Sequence, residues 1–324
     1  MPTRRTFLKG LGGGALVSGL PAPVVAAATG RPLKVVATTG MIADTAHRVG
    51  GNLVEVKALM GPGVDPHSYR QTRTDIVATA KADLVLWNGL YLEAQMEDVL
   101  AELARRVPGV ALAEAVPAGR RIAHDDYKNR FDPHVWMDPG LWRLVAHAAR
   151  NALSAVKPDG ADAFAANTDA FLAELDRLDA YSSRVLSTVP EAARVLVTAH
   201  DAFNYFGRAY GFEVVGIQGI STESEAGLNR MTELVDLIVE RRIATVFVES
   251  SVSDRLVRAL VEGAAAAGWN VRIGGELYSD AMGAAGTYEG TYVGMIDHNV
   301  TVIADGLGGN VPARGMSGRL SAGS

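Results

Sequence analysis

Short runs of consecutive apolar residues alternate along the chain with stretches whose apolar residues recur every three or four positions. That alternation is the pattern of a wound α/β sheet. In the first half the strand-like runs are 33–38, 54–59, 83–87 and, more weakly, 110–112. Between them the helical pattern covers 41–49, stopped by Gly50-Gly51, then 74–81, then 91–106, where Leu92, Met96, Val99, Leu100 and Leu103 form one stripe. The second half repeats the order with runs at 194–198, 213–217, 244–249 and 270–273, and helices at 202–210, 228–241 and 254–267. The halves also open alike: Val35-Val36-Ala37-Thr38-Thr39 leads into one helix and Val195-Leu196-Val197-Thr198-Ala199 into another. Continuous apolar runs mark strands buried on both faces, so a parallel sheet is expected in each half.

Between the halves, residues 161–189 contain no glycine or proline, and Phe171, Leu175, Leu178, Tyr181, Val185 and Val189 recur at helical spacing up to Pro190. Fully helical, this segment would reach roughly 40 Å. The expected fold is therefore α/β with two similar lobes, each a parallel sheet flanked by helices, at 31–160 and 190–310. One long linking helix joins them and restricts how far they can open. Residues 311–324 carry no periodicity and are expected to be a disordered tail.

The composition narrows the chemistry. With 324 residues, 48% of them hydrophobic, two packed lobes are affordable and general disorder is excluded. A net charge of −5 gives no reason to expect nucleic acid. The absence of cysteine excludes thiol catalysis, disulfides and Cys-ligated metal, leaving His, carboxylate and backbone oxygen as possible ligands. Residues 1–28 read as an export signal of the twin-arginine type. Arg4, Arg5 and Lys9 precede an uncharged Gly-rich stretch, and Ala26-Ala27-Ala28 offers a cleavage site. Those features, with no cysteine to lipidate, lead to the expectation of a cleaved, periplasmic protein without a lipid anchor.

Seven histidines are present. His47 and His147 fall within helical patterns, His298 lies in the last helix with no assigned role, and His124 sits in a surface loop where it could at most capture metal weakly. Three others occupy turn-rich loops expected at strand ends: His67 in Gly61-Pro62-Gly63-Val64-Asp65-Pro66-His67-Ser68-Tyr69, His134 in Asp132-Pro133-His134-Val135-Trp136-Met137-Asp138-Pro139, and His200 in Thr198-Ala199-His200-Asp201-Ala202-Phe203. Open α/β sheets bind ligands beyond the carboxyl ends of their strands, so three imidazoles there can converge on one cleft. Asp280, after the last strand, suits the role of a fourth donor, although it could instead cap a helix. Three nitrogens and a carboxylate bind a divalent transition metal well and calcium poorly. Glu249 is expected to orient a ligand or the cleft wall rather than to bind metal.

These loops, together with Phe247-Val248-Glu249-Ser250-Ser251 and Glu276-Leu277-Tyr278-Ser279-Asp280, occur in the order found in a known family. From about Leu33 to Leu307 the chain resembles the zinc/manganese solute-binding proteins of metal ABC importers, most closely the TroA type. The resemblance implies that one Zn2+ or Mn2+ ion, with Fe2+ ranked behind, is held between the lobes by His67, His134, His200 and Asp280. It also implies a monomer that passes the ion to a membrane permease driven by a separate ATPase. Some relatives carry Glu at the third position, which places this sequence in the three-His branch. The His/Asp-rich loop of many zinc-dedicated relatives would fall at 115–130, where only His124, Asp125 and Asp126 occur; this argues against exclusive zinc service. The alternatives are a zinc-dependent hydrolase built on the same cluster, for which His-Glu-x-x-His is absent, and an adhesin or receptor using the metal structurally.

Overall fold

A computed structural model describes residues 30–124, 130–224 and 226–321. The proposed export signal at 1–28 lies outside the described residues, as do Asp125 and Asp126. Among the described residues, no helix is long and apolar enough to cross a membrane.

The first lobe is a four-stranded parallel sheet in the order β2-β1-β3-β4, formed by β1 (Leu33–Ala37), β2 (Val54–Ala58), β3 (Leu84–Trp87) and β4 (Gly109–Ala111). Its crossovers carry α1 (Gly40–Gly50), α2 (Arg73–Ala80) and α3 (Glu97–Leu103). Thr39 caps α1, and Thr72 and Asp75 form a reciprocal capping box on α2. The helix expected over 91–106 is shorter, because the carboxylate of Glu93 fixes the chain before it. That buried group accepts hydrogen bonds from Thr38 Oγ1 (2.6 Å), Asn88 N (2.8 Å) and Gly89 N (3.1 Å), and Leu90 and Tyr91 adopt positive φ. The last strand leads through a loop to α4 (Pro139–Val156), with Asp138 as its N-cap.

The second lobe contains two parallel ladders, β5 (Val195–His200) with β6 (Glu213–Gln218) and β7 (Thr245–Glu249) with β8 (Arg272–Leu277), and β5 lies alongside β7. α6 (Asn204–Tyr210), α7 (Leu228–Arg241), α8 (Arg255–Ala266) and α9 (Tyr292–Gly306) complete it. The register of β7 against β8 shifts between Val246 and Val248, opposite Gly274-Gly275. Gly275 has φ +151°, and a Cβ there would sit 2.6 Å from Val302 on α9, so the irregular strand needs glycine at that point.

The expected rod is α5, Ala161–Leu186, preceded by a 3-10 turn at Pro158–Gly160. Phe164, Phe171, Leu175, Leu178, Tyr181 and Val185 are buried along one stripe against α4, α1 and α9. The linker is therefore part of a core that runs through both lobes rather than a free strut. The seam is reinforced where Trp142 of α4 stacks on Tyr292 of α9 at 5.1 Å and 9°. Tyr292 also donates its hydroxyl to Trp136 O (2.7 Å) and its amide to Asp44 (3.0 Å), and Trp142 Nε1 donates to Thr45 (3.0 Å). Such a stacked pair contributes about 0.5–1.5 kcal/mol beyond its burial.

One expectation fails plainly. The segment after residue 310, expected to be disordered, is packed through residue 321: both Asp297 oxygens accept Met316 N, Glu289 accepts Ser321 N (2.6 Å), and Leu320 is buried. Its anchors come from α9 and the loop before it, which local sequence does not reveal.

Candidate metal centre

His67 follows β2, His200 is the last residue of β5, and Asp280 lies three residues beyond β8, so each sits at a carboxyl end of a sheet. His134 arrives differently, from the loop before α4. Asn88, at the end of β3, donates to Pro133 O (3.1 Å) and draws that loop over the strand ends. All four side chains are buried, and one donor atom from each lies within 4.8 Å of the others. Among the described residues no other group of His and acidic side chains is gathered in this way.

The spacing is that of ligands around one ion. His67 Nε2 and His134 Nε2 are 3.2 Å apart, His134 Nε2 and Asp280 Oδ1 3.4 Å, and His200 Nε2 and Asp280 Oδ2 3.2 Å. Zinc bonds of ~2.0–2.1 Å put tetrahedral donors about 3.3 Å apart. Moreover, His200 Nε2 and Asp280 Oδ1 are buried without an aligned hydrogen-bond partner, although other polar atoms are near. Orphaned buried polar atoms are costly, and a cation at their common focus would satisfy both. The donor set thus fits a divalent transition metal.

Carboxylates behind two of the rings set their orientation. Asp132 Oδ1 meets His134 Nδ1 at 2.7 Å, and Glu249 Oε2 meets His200 Nδ1 at 2.6 Å while its other oxygen accepts His200 N (2.9 Å). Each leaves Nε2 facing the site. Glu249 thus has the orienting place expected from sequence. Asp132 was missed; its signal was the Asp-Pro-His tripeptide, in which Asp132 Oδ1 also accepts His134 N (2.9 Å). Ser251 was missed too, and its hydroxyl lies 3.3 Å from Asp280 Oδ2. The remaining histidines stay outside: His47 is exposed, His147 half-buried on α4, His124 half-buried in its loop, and His298 packs on Tyr278 with Nε2 on Glu276 O.

Electrostatics divide the three imidazoles. Burial pushes His67 down to about 4, against the pull of Asp280. Burial would lower His134 as well, but Asp132 and Asp280 override it and hold the ring at about 9. His200 is raised well above the ordinary value because Glu249 and Asp280 outweigh its burial. Asp280, despite burial, is held well below the usual carboxylate range by His200, His134 and His67. Without metal, at neutral pH, the site therefore keeps protons on His134 and His200 and none of positive charge on His67.

The model of the periplasmic zinc-uptake complex component A, ZnuA, matches residues 35–306. The manganese-binding lipoprotein MntA of Bacillus subtilis is 49% identical over 85% of this chain and 90% of its own length. The zinc-binding protein TroA of Treponema pallidum is 47% identical over 87% and 91%. A solved structure of the Treponema pallidum periplasmic zinc-binding protein TroA superposes with a TM-score of 0.83 at 46% identity, covering 86% of this chain and 99% of that one. Membership of this group indicates a transport protein and not a catalyst, which disposes of the hydrolase alternative. It also corrects the expectation that the protein has no lipid anchor. Extracytoplasmic location is supported, but MntA and several other relatives are lipoproteins, implying an anchor. The expectation rested on the cysteine count of this sequence alone. The chain belongs to the ZnuA family and is a TroA/ZnuA-like periplasmic metal-binding component of an ABC uptake system.

Proposed function

We propose that His67, His134 and His200, each through Nε2, and Asp280 through its carboxylate are the ligands of the transported ion, gripped between lobes 31–160 and 190–310. The protein delivers a divalent metal to its importer, and the ion is cargo rather than a resident cofactor. The observation that carries the ligand assignment is the convergence of four buried donors within 4.8 Å, three pairs of them 3.2–3.4 Å apart, with His200 Nε2 and Asp280 Oδ1 lacking an aligned hydrogen bond. Relatives named for binding manganese and zinc support either ion as cargo, and the same donors accept both, since affinity follows ligand type more than biological use. Four protein ligands fill a tetrahedral shell, so a water molecule has no place to be activated and the ion is held until the ligands part. A monomer presenting the cleft mouth to a permease, which an ATPase drives, completes the cycle.

The deciding experiment is competitive titration of chelator-stripped protein with Zn2+ and Mn2+, read by elemental analysis. One ion per chain is expected, lost together with any one of the four side chains. Uptake of an ion by a His134→Ala/Asp280→Ala double variant with unchanged affinity would refute the assignment.

A further inference from the structure

The two lobes are joined very differently behind and in front of the ligands. Behind, the Trp142–Tyr292 stack, Tyr292 OH to Trp136 O and Trp136 Nε1 to Ser279 O (2.8 Å) are buried in the shared core. In front, beside His67, lies a cavity of about 250 Å3 lined by His67, Tyr91, Phe131, Ile220 and Glu223. There the lobes meet through polar contacts: Thr222 Oγ1 donates to Asp65 Oδ2 (2.7 Å), and Gln95 Nε2 donates to Glu223 Oε1 (2.5 Å).

The first of these contacts reaches ligands on both sides. Asp65 uses its other oxygen, Oδ1, to accept the amide of His67 (2.8 Å), so one carboxylate holds the His67 turn and the opposite lobe at once. Thr222, in turn, is held by Gln218, whose buried side chain donates to the carbonyls of Thr222 (3.2 Å) and Ser224 (3.0 Å). Gln218 ends β6 directly opposite His200 in the β5–β6 ladder. A continuous line of bonds thus runs from His67 through Asp65, Thr222 and Gln218 to the strand that carries His200.

We propose that Thr222 is a positioning residue for metal retention: its bond to Asp65 ties the His67 turn to the His200 strand across the cleft, and breaking it is the step that frees His67 from the ion. This rests on the ligand assignment above. His67 is the ligand suited to leave first, because among the described residues its ring has no carboxylate behind it of the kind that holds His134 and His200. The buried rear seam keeps the other three donors in place, so a small movement in front is enough to open the coordination shell. The tie closes behind an arriving ion, so its loss acts on departure and leaves arrival nearly unchanged.

The test is the release of Zn2+ or Mn2+ from full-length loaded protein into excess chelator, followed by stopped flow, alongside the association rate. Thr222→Val is expected to release the ion about tenfold faster, the effect of losing one half-exposed hydrogen bond to a carboxylate, with association within about twofold of the parent. Thr222→Ser, which keeps the hydroxyl, restores slow release, and Thr222→Val combined with Asp65→Asn is no faster than the faster single variant. Parental release from Thr222→Val, or equal acceleration by Thr222→Ser, overturns the proposal. Backbone hydrogen exchange of the metal-free protein gives an independent reading: residues 219–224 and the His67 turn exchange faster in Thr222→Val if the tie exists, and unchanged exchange refutes it. A parent that takes up no ion would overturn the ligand assignment instead, and the exchange result alone would then judge the tie.

Discussion

Asp-Pro-His occurs twice, at Asp65-Pro66-His67 and Asp132-Pro133-His134, and both copies make the same turn, with the Asp carboxylate accepting the His amide. Their side chains then diverge. Asp132 folds back onto its own histidine and holds Nδ1 at 2.7 Å in a fully buried pair. Asp65 turns outward, accepting Ser68 Oγ (2.9 Å) and Thr222 Oγ1 (2.7 Å), and among the described residues no carboxylate stands behind the His67 ring. The same three residues therefore yield one imidazole locked by charge and one held only through its backbone. Proline and the Asx turn fix where an imidazole starts; what surrounds the ring fixes how firmly it stays.

Deleting the rings gives the largest expected contrast. His134→Ala should lower metal affinity at least about a thousandfold, equivalent to about 4 kcal/mol. It should also destabilise the metal-free protein by about 3–5 kcal/mol, because Asp132 and Asp280 lose their buried cationic partner. His67→Ala should also weaken binding severely, but with a metal-free stability near that of the parent, since the ring it removes is uncharged. Thermal unfolding of the two stripped variants checks this. Equal destabilisation would erase the distinction between the loops.

Protonation gives the next contrast. His134, held at about 9, keeps its proton at neutral pH, and His200 does so too, whereas His67, pushed to about 4, does not. Binding a dication should therefore expel about two protons. The pocket then has the same charge with two protons as with one divalent ion, which makes metal and protons direct competitors. Affinity should rise with pH by up to about a hundredfold per unit near neutrality and less steeply once pH passes about 9, where His134 begins neutral. The metal-free fold shows the opposite sign only above the ordinary 6.5. His134's raised value contributes stability that is fully present below the ordinary 6.5 and is lost as pH climbs through about 9, while His67's lowered value makes the fold weaker as pH falls from 6.5 toward about 4. Calorimetry in buffers of different ionisation heat counts the protons, and a value near zero would refute this division.

The sequence carried much of this in advance, for identifiable reasons. Strands buried on both faces have to be continuous apolar runs, as β3, β5 and β7 are, whereas β2 and β8 carry exposed charged residues and are less plainly marked. His67, His134, His200 and Asp280 were legible because each sits in an unusual turn at a place where α/β sheets gather ligands. Glu249 was legible as the polar end of an apolar strand. The different duties of Asp65 and Asp132 were not, since the local sequence around both is Asp-Pro-His and only the opposite lobe separates them. Thr222 lies in Ser221-Thr222-Glu223-Ser224, polar and without period, so nothing local marks it. The late start of α3 and the packed segment after 310 share that cause: Glu93 is tied to the Thr38 side chain 55 residues earlier, and Asp297 and Glu289 hold backbone 19 and 32 residues away.

Exchanging the two carboxylates for amides separates the loops at the smallest scale. Asp132→Asn keeps an acceptor beside the His134 turn but removes the charge that raises the ring. Its affinity should fall about ten- to hundredfold, the usual cost of losing the group behind a ligating histidine. The number of protons expelled on binding should fall by about one, because His134 would then begin neutral. Asp65→Asn should lower affinity no more than about tenfold, all of it through faster release, and should leave the proton count at about two. Both changes are nearly isosteric, so the comparison does not depend on cavities or lost packing. If Asp65→Asn altered the proton count as much as Asp132→Asn, the His67 ring would be coupled to its carboxylate after all, and the two turns would be equivalent in function as well as in sequence.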